Sequence, residues 1–377
     1  MKFEEFKSGQ HVQRYKYRSF EPTLINQAWG WDDLSINTLL EAANRSLGEL
    51  NAFSLIVPDI DLFVRMHVLK EAQQSSKIEG TQTGMDDVLL NEAHIQPEKR
   101  DDWLEVHNYV DAINTAIEAM ETLPLSSRLL KQTHQILMQG VRGEHKQPGD
   151  FRASQNWIGG SSLADAVFIP PHHENVGNLM GDLEQFWHNE GIHVPHLIRI
   201  AISHYQFETI HPFLDGNGRI GRLMIPLYLM HHGILAKPAL YLSDFFERNR
   251  SSYYDALMRV RTSHDLLHWV RFFLNGVTET AVRGKEVFQA ILKLREQVEH
   301  EVVILKARAP IARRLLQVLY RQPIISASEI STELKVSTPT AHKLVDTFVD
   351  MKILKEFTNR QRGRLYVFDE YFKLFNN

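Results

Sequence analysis

The chain has 377 residues, a formal net charge of −4, 43% hydrophobic and 23% charged residues, the balance of a globular protein with two or three domains. The absence of cysteine excludes disulfides, thiolate metal sites and a cysteine nucleophile, and no run of 18 apolar residues is available to span a membrane. The polar N-terminus, Met1-Lys-Phe-Glu-Glu-Phe-Lys-Ser8, lacks the apolar core of a signal peptide, so a cytoplasmic location is expected.

In chain order, the spacing of Ile36, Leu39, Leu40, Ala43, Leu47 and Leu50 predicts a first helix. Pro58-Asp59 opens a second, through Leu62, Val64, Met66, Val68 and Leu69 to Gly80, which stops it. A short third covers 86–90, so residues 1–100 read as an N-terminal helical region. Helices over 103–120 and 125–138 follow. The turn-rich run from Pro148 to Pro171, with Gly159-Gly160 at its centre, predicts a β-hairpin ended by a double proline. Helical periodicity returns over 176–188, 196–209, 218–232, 250–261 and 266–299. The tail predicts three helices (310–321, 326–334, 338–351) and two strands within 354–368, the order of a winged helix-turn-helix. The expected division is 1–100, a catalytic domain over 101–305, and a winged helix-turn-helix domain over 308–377.

The run His211-Pro-Phe-Leu-Asp-Gly-Asn-Gly-Arg-Ile-Gly-Arg222 carries the chemistry. Gly216-Asn217-Gly218 frees the backbone to form an anion nest, and the helix behind it adds the positive end of its dipole. Arg219 and Arg222 lie three apart on one helical face, a pair of guanidiniums suited to polyphosphate. Asp215 offers one hard oxygen for Mg²⁺. His211 is the one group in the loop with a pKa suited to deprotonating a hydroxyl near neutral pH.

This run resembles the motif of the Fic (filamentation induced by cyclic AMP) family, His-x-Phe-x-(Asp/Glu)-Gly-Asn-Gly-Arg-x-x-Arg, at every defined position. The resemblance implies a mainly α fold: a helical bundle with a β-hairpin flap, beside the C-terminal winged helix-turn-helix. It implies an adenylyltransferase that moves AMP from ATP to Ser, Thr or Tyr of a protein and releases pyrophosphate. His211 would be the general base and Asp215 the Mg²⁺ ligand. Asn217 and the amides of Gly216 to Gly221, Ile220 included, would grip the α/β phosphates. Arg219 and Arg222 would hold the distal ones. Kinase-like Doc relatives carry a lysine where this chain has Gly218, which favours AMP transfer here.

Ser75-Ser-Lys-Ile-Glu79-Gly80 resembles the family's inhibitory motif, (Ser/Thr)-x-x-x-Glu-(Gly/Asn). Glu79 would compete with the γ-phosphate for Arg222, and the chain would be auto-inhibited. The hairpin resembles the flap that pairs with a target segment, with Val167, Phe168 and Ile169 as expected contacts. Asn249, Tyr253 and Tyr254 match a family stretch bordering the nucleoside. The paired histidines His172-His173 and His231-His232 read as surface or capping residues. Target proteins, auto-modification and a homodimer are the expected partners.

The tail, from Arg308, holds 12 Lys+Arg against 7 Asp+Glu, on a body carrying −9. Arg360, Arg362 and Arg364 would form a basic wing. Asp346 and Asp350 on the expected recognition helix oppose DNA, so a docking or regulatory module is favoured over DNA binding. The alternatives are an enzyme that removes AMP and a nucleotide-sensing transcription regulator.

Overall fold

The computed structural model describes residues 1–57, 59–358 and 363–376. It opens with an antiparallel pair, β1 (Gly9–Gln13) and β2 (Arg18–Pro22), in register from Gly9↔Pro22 to Gln13↔Arg18. The N-terminal helical region expected over 1–100 thus begins with a strand pair that the sequence pattern did not reveal. β1 is half-exposed and has no clean alternation of apolar residues. The pair is fixed instead by distant chain: the Phe20 N–H donates to the Ile169 carbonyl at 2.9 Å, and its ring packs on Phe168.

The body then runs α1 (Ser35–Ile56), α2 (Ile60–Ile78), α3 (Met85–Val88), α4 (Arg100–Ala119) and α5 (Ser127–Leu137). The expected hairpin shrinks to one antiparallel bridge, Ile158↔Phe168. Asp165 closes its tip by accepting hydrogen bonds from the backbone and hydroxyls of Ser161 and Ser162, which leaves little length for a ladder. Next come α6 (Val176–His188), α7 (His196–Ile210), α8 (Asn217–His231), α9 (Ser243–Arg248), α10 (Arg250–Ser263) and α11 (Leu266–Val303).

The core is organised around α7, where every residue from Leu197 to Ile210 is buried. A helix buried on all sides needs neighbours all round. α6, α8 and α11 pack on it, and Trp269 of α11 donates to the Ala201 carbonyl at 2.8 Å. α1 lies along α11, with Leu50 where a Cβ on Gly284 would point. Among the described residues no helix is long and apolar enough to cross a membrane.

The C-terminal part is α12 (Ala309–Arg321), β3 (Ile324–Ser326), α13 (Ala327–Leu334), α14 (Thr338–Asp350), β4 (Lys355–Glu356), β5 (Leu365–Val367) and α15 (Asp369–Asn376). Ser326 and Glu329 form a reciprocal capping box at the start of α13. The antiparallel sheet has the order β3-β5-β4, so it contains a third strand that the sequence pattern did not reveal. This part packs against α2. Phe63 meets Tyr320 and Tyr371, and His67 lies between Phe288 and Phe375. Arg360 and Arg362 lie outside the described residues, and Arg364 is 3.6 Å from Glu356.

Candidate active site

α7 delivers His211 as its C-terminal cap, in the left-handed region (φ 51) that histidine tolerates. The turn it starts is held from three sides. Arg152 Nε and Asn156 Nδ2 donate to the His211 carbonyl at 2.9 and 3.1 Å. Asn156 also donates to the Phe213 carbonyl at 2.9 Å. His134 stacks on Phe213, its ring centroid 3.9 Å away. Because His134 Nδ1 accepts from the Gly149 N–H, its Nε2 carries the proton and donates to the Asp215 carbonyl at 3.0 Å. Burial and the charge of Arg261 push the His211 ring down to about 4, so it is a neutral acceptor at neutral pH.

Asn217 is not free to reach a ligand. Its side-chain oxygen accepts from the Phe213 N–H and its nitrogen donates to the Phe213 carbonyl, both at 2.8 Å. The expected phosphate grip by this side chain is therefore corrected: it fixes the loop's shape. The Gly216 N–H is itself taken by Asp215 Oδ1 at 2.7 Å, so an anion would be met by the amides of the first turn of α8. Ile220 and Gly221 turn away from the loop. Ile220 is in the core, and a Cβ on Gly221 would meet Glu208 Oε1 at 2.3 Å, so glycine permits the close approach of α7 and α8. Glu208 is buried, its Oε1 lacks a hydrogen-bond partner, and burial pushes its carboxyl up to about 7.

Three charged groups surround the loop, and each faces a partner. Burial would raise the Asp215 carboxyl, but Lys146, 2.9 Å away, holds it below the usual carboxylate value. Arg219 is 5% exposed, with Nη1 3.7 Å from Glu105, and its Nε and Nη1 have no hydrogen-bond partner. Arg222 donates from Nη2 to Glu79 Oε1 at 2.6 Å, from Nη2 to the Ser75 carbonyl at 2.9 Å, and from Nε to Ser75 Oγ at 2.9 Å. Burial works against the Glu79 charge, but Arg222 and then Arg219 keep its pKa below the usual value. A Cβ on Gly218 would lie 2.1 Å from Glu79 Oε1, so the carboxylate rests directly on the bare face of that glycine. Unspent donors on Arg219 and the glycine cradle fit a polyphosphate. Asp215, part-exposed and paired with the Lys146 ammonium, fits a hydrated divalent cation.

α2 brings Ser75 and Glu79 to this point because its own polar face is anchored. Buried Glu71 accepts from Tyr109 of α4 at 3.0 Å and from the Ser243 N–H at the start of α9 at 3.1 Å. Arg250 Nη2 caps the helix end at the Ile78 carbonyl, 2.6 Å away.

The other expected contacts divide. Val167 is exposed, but Phe168 is 4% exposed under the Arg261 guanidinium, 4.0 Å from its ring, and is corrected to a core residue. The Ile169 carbonyl is taken by Phe20. Tyr253 is likewise buried, stacked on Phe246 with its hydroxyl 2.9 Å from His204 Nε2, while Tyr254 is exposed beside it. Asn249 caps α9 through the Phe245 carbonyl at 2.9 Å. His172 and His173 lie part-exposed at the surface, as expected, with their ligating atoms and those of Glu174 within 4.8 Å of one another. Lys146, Glu105, His134, Arg152 and Asn156 were missed because each lies at least 55 residues from its partner in the loop. No local spacing marks them.

Residues 37–118 match the family described as Fic/DOC family N-terminal, and residues 124–229 match the Fic/DOC family. The chain is 27% identical over 183 residues to the Protein adenylyltransferase Fic of Drosophila erecta, covering 47% of this chain and 34% of that protein. It is 32% identical over 133 residues to the Aedes aegypti protein of the same name, covering 35% and 24%. The chain thus spans about a third or less of the length of the curated relatives it matches. Among solved structures it is similar to a Fic family protein from Desulfovibrio desulfuricans, with a TM-score of 0.56 and 21% identity over 90% of this chain and 98% of that one. It is also similar to a Fic domain containing signaling protein from Bacteroides thetaiotaomicron, with a TM-score of 0.53 and 18% identity over 66% and 95%.

Proposed function

We propose, from the premise that this chain belongs to the Fic/DOC family, that it transfers AMP from ATP to a hydroxyl of a target protein and is restrained by its own Glu79. The observation that carries the reading is the Arg222–Glu79 contact over the bare face of Gly218. A carboxylate resting at a helix start, on a guanidinium beside a glycine nest, marks the place as an anion site. It is also where a distal phosphate would compete.

In the reaction, the neutral His211 ring takes the proton from a Ser, Thr or Tyr hydroxyl. The hydroxyl oxygen bonds the α-phosphorus, the bond from that phosphorus to the bridging oxygen breaks, and pyrophosphate leaves. Arg219 and Arg222 hold the departing phosphates. The amides at the start of α8 stabilise the charge on the α-phosphoryl oxygens. Asp215 would hold Mg²⁺, which supplies positive charge to the phosphates when bound. Val167, exposed beside the bridge, is a contact for the target segment, and Tyr254 borders the nucleoside.

We read the C-terminal part as a winged helix-turn-helix used for docking or regulation. Thr338, His342 and Asp346 on α14 face Asn91, Ala93 and His94 of the body across a groove of about 720 Å³. With Asp346 and Asp350 also on this helix, docking is favoured over DNA binding.

Parallel reactions with α-labelled and γ-labelled ATP test the activity. Label on protein from the α position alone is expected, and label from the γ position alone would contradict the reading.

A further inference from the structure

We infer that Glu105 and Thr81 form a seat that holds the inhibitory segment in place, with Glu105 acting as a positioning residue shared between Glu79 and Arg219. The inference rests on the reading of Glu79 as inhibitory.

Glu105 projects from α4 and is 3% exposed. A carboxylate so buried needs counter-charge and donors. Its charge partners are Arg219 Nη1 and Arg142 Nη2, each 3.7 Å away. Its one hydrogen-bond donor among the described side chains is the Thr81 hydroxyl, 3.0 Å from Oε2.

Thr81 is itself 4% exposed and stands two residues beyond Glu79. Between them Gly80 takes φ +106, where a side chain would be strained, and turns the chain off the end of α2. The exit is then pinned at successive points. The Thr81 N–H donates to the Ser76 carbonyl at 3.2 Å, the Gln82 N–H to Asp102 at 2.9 Å, and Gln73 Nε2 to the Thr83 carbonyl at 2.9 Å. Of these anchors, only Glu105 also faces a phosphate-side arginine.

Arg219 is held there by charge across 3.7 Å while Nε and Nη1 remain without hydrogen-bond partners. Such a guanidinium is oriented but still has donors for a phosphate. A shift of Glu105 would therefore move two things together: the exit that fixes Glu79, and the arginine that meets the nucleotide. Loss of the Thr81 donor loosens only the first.

The test uses the full chain with α-labelled ATP and Mg²⁺, comparing wild type, Thr81→Val, Thr81→Ser, Glu79→Gly and the double variant Glu79→Gly/Thr81→Val. Valine keeps the shape of threonine without the donor, and serine restores the donor. A hydrogen bond to a charged acceptor is strong enough to bias a local equilibrium by roughly tenfold, so Thr81→Val should raise auto-modification by about that factor. Thr81→Ser should return to the wild-type level. The double variant should equal Glu79→Gly, because both changes act through one carboxylate. Wild-type labelling in Thr81→Val beside an activated Glu79→Gly overturns this inference alone. So does a double variant whose effects multiply. A silent Glu79→Gly overturns the inhibitory reading and this inference with it.

Discussion

Replacing Glu79 by glycine removes a carboxylate that accepts from Arg222 Nη2 at 2.6 Å, while the two Ser75 contacts to the same guanidinium remain. Arg222 therefore keeps its place but loses its main counter-charge. A hydrogen bond to a charged group contributes about 1.5–3 kcal/mol, and Glu79 is 35% exposed, which puts its value near the lower end. Under the proposed competition that free energy opposes the γ-phosphate, because both would occupy one guanidinium. Its removal should raise the rate of auto-modification about tenfold, since each 1.4 kcal/mol is a factor of ten. Glu79→Gln, which keeps the shape and loses the charge, should fall between wild type and Glu79→Gly. Glu208, whose pKa is raised by burial and, more weakly, by Glu79, should titrate lower in Glu79→Gly. The assay is the initial rate of label transfer from α-labelled ATP at saturating Mg²⁺. Equal rates for wild type and both variants would refute the competition argument.

Stability should fall in acid. His67, His134 and His211 are pushed by burial down to about 4, and His204 to about 3. In the unfolded chain each takes up a proton near 6.5, so between about pH 6.5 and 4 the unfolded state binds more protons and stability drops with pH. Glu208 and Glu71, whose pKa values are raised, act in the opposite sense but are outnumbered. The urea midpoint should be lower at pH 5 than at pH 7, and equal midpoints would contradict the burial of these rings as neutral groups. Gly221→Ala should destabilise by about 1–3 kcal/mol, because its Cβ would meet Glu208 and Phe207 at 2.3 and 3.1 Å between two packed helices. An unchanged thermal midpoint would count against that packing. Lys146→Met removes the ammonium that pairs Asp215 at 2.9 Å, so half-maximal labelling of Glu79→Gly should need less Mg²⁺. A higher requirement would show that Lys146 assists the site rather than competing in it.

The reading of the sequence was strongest where local pattern and tertiary demand agree. α6 begins and ends at the residues that periodicity indicated, and the run from His211 to Arg222 forms the turn from the end of α7 into the start of α8 that its glycines suggested. It was weakest where a residue takes its meaning from a distant partner. β2 owes its place to Ile169 and Phe168, and Glu105 meets Arg219 across 114 positions. Asn217 and Tyr253 illustrate a different limit. Both stand where the family pattern suggests ligand contact, yet the first is consumed by the Phe213 backbone and the second by His204 and Phe246. Sequence identifies such residues as required without saying whether they touch the ligand or hold what does.

The central claim is tested most directly by the intact mass of the Glu79→Gly chain after incubation with ATP and Mg²⁺. A mass gain of one AMP per modified hydroxyl is expected, absent when His211 is also changed to alanine. A gain of phosphate alone, or an AMP adduct that survives the loss of His211 undiminished, would contradict it.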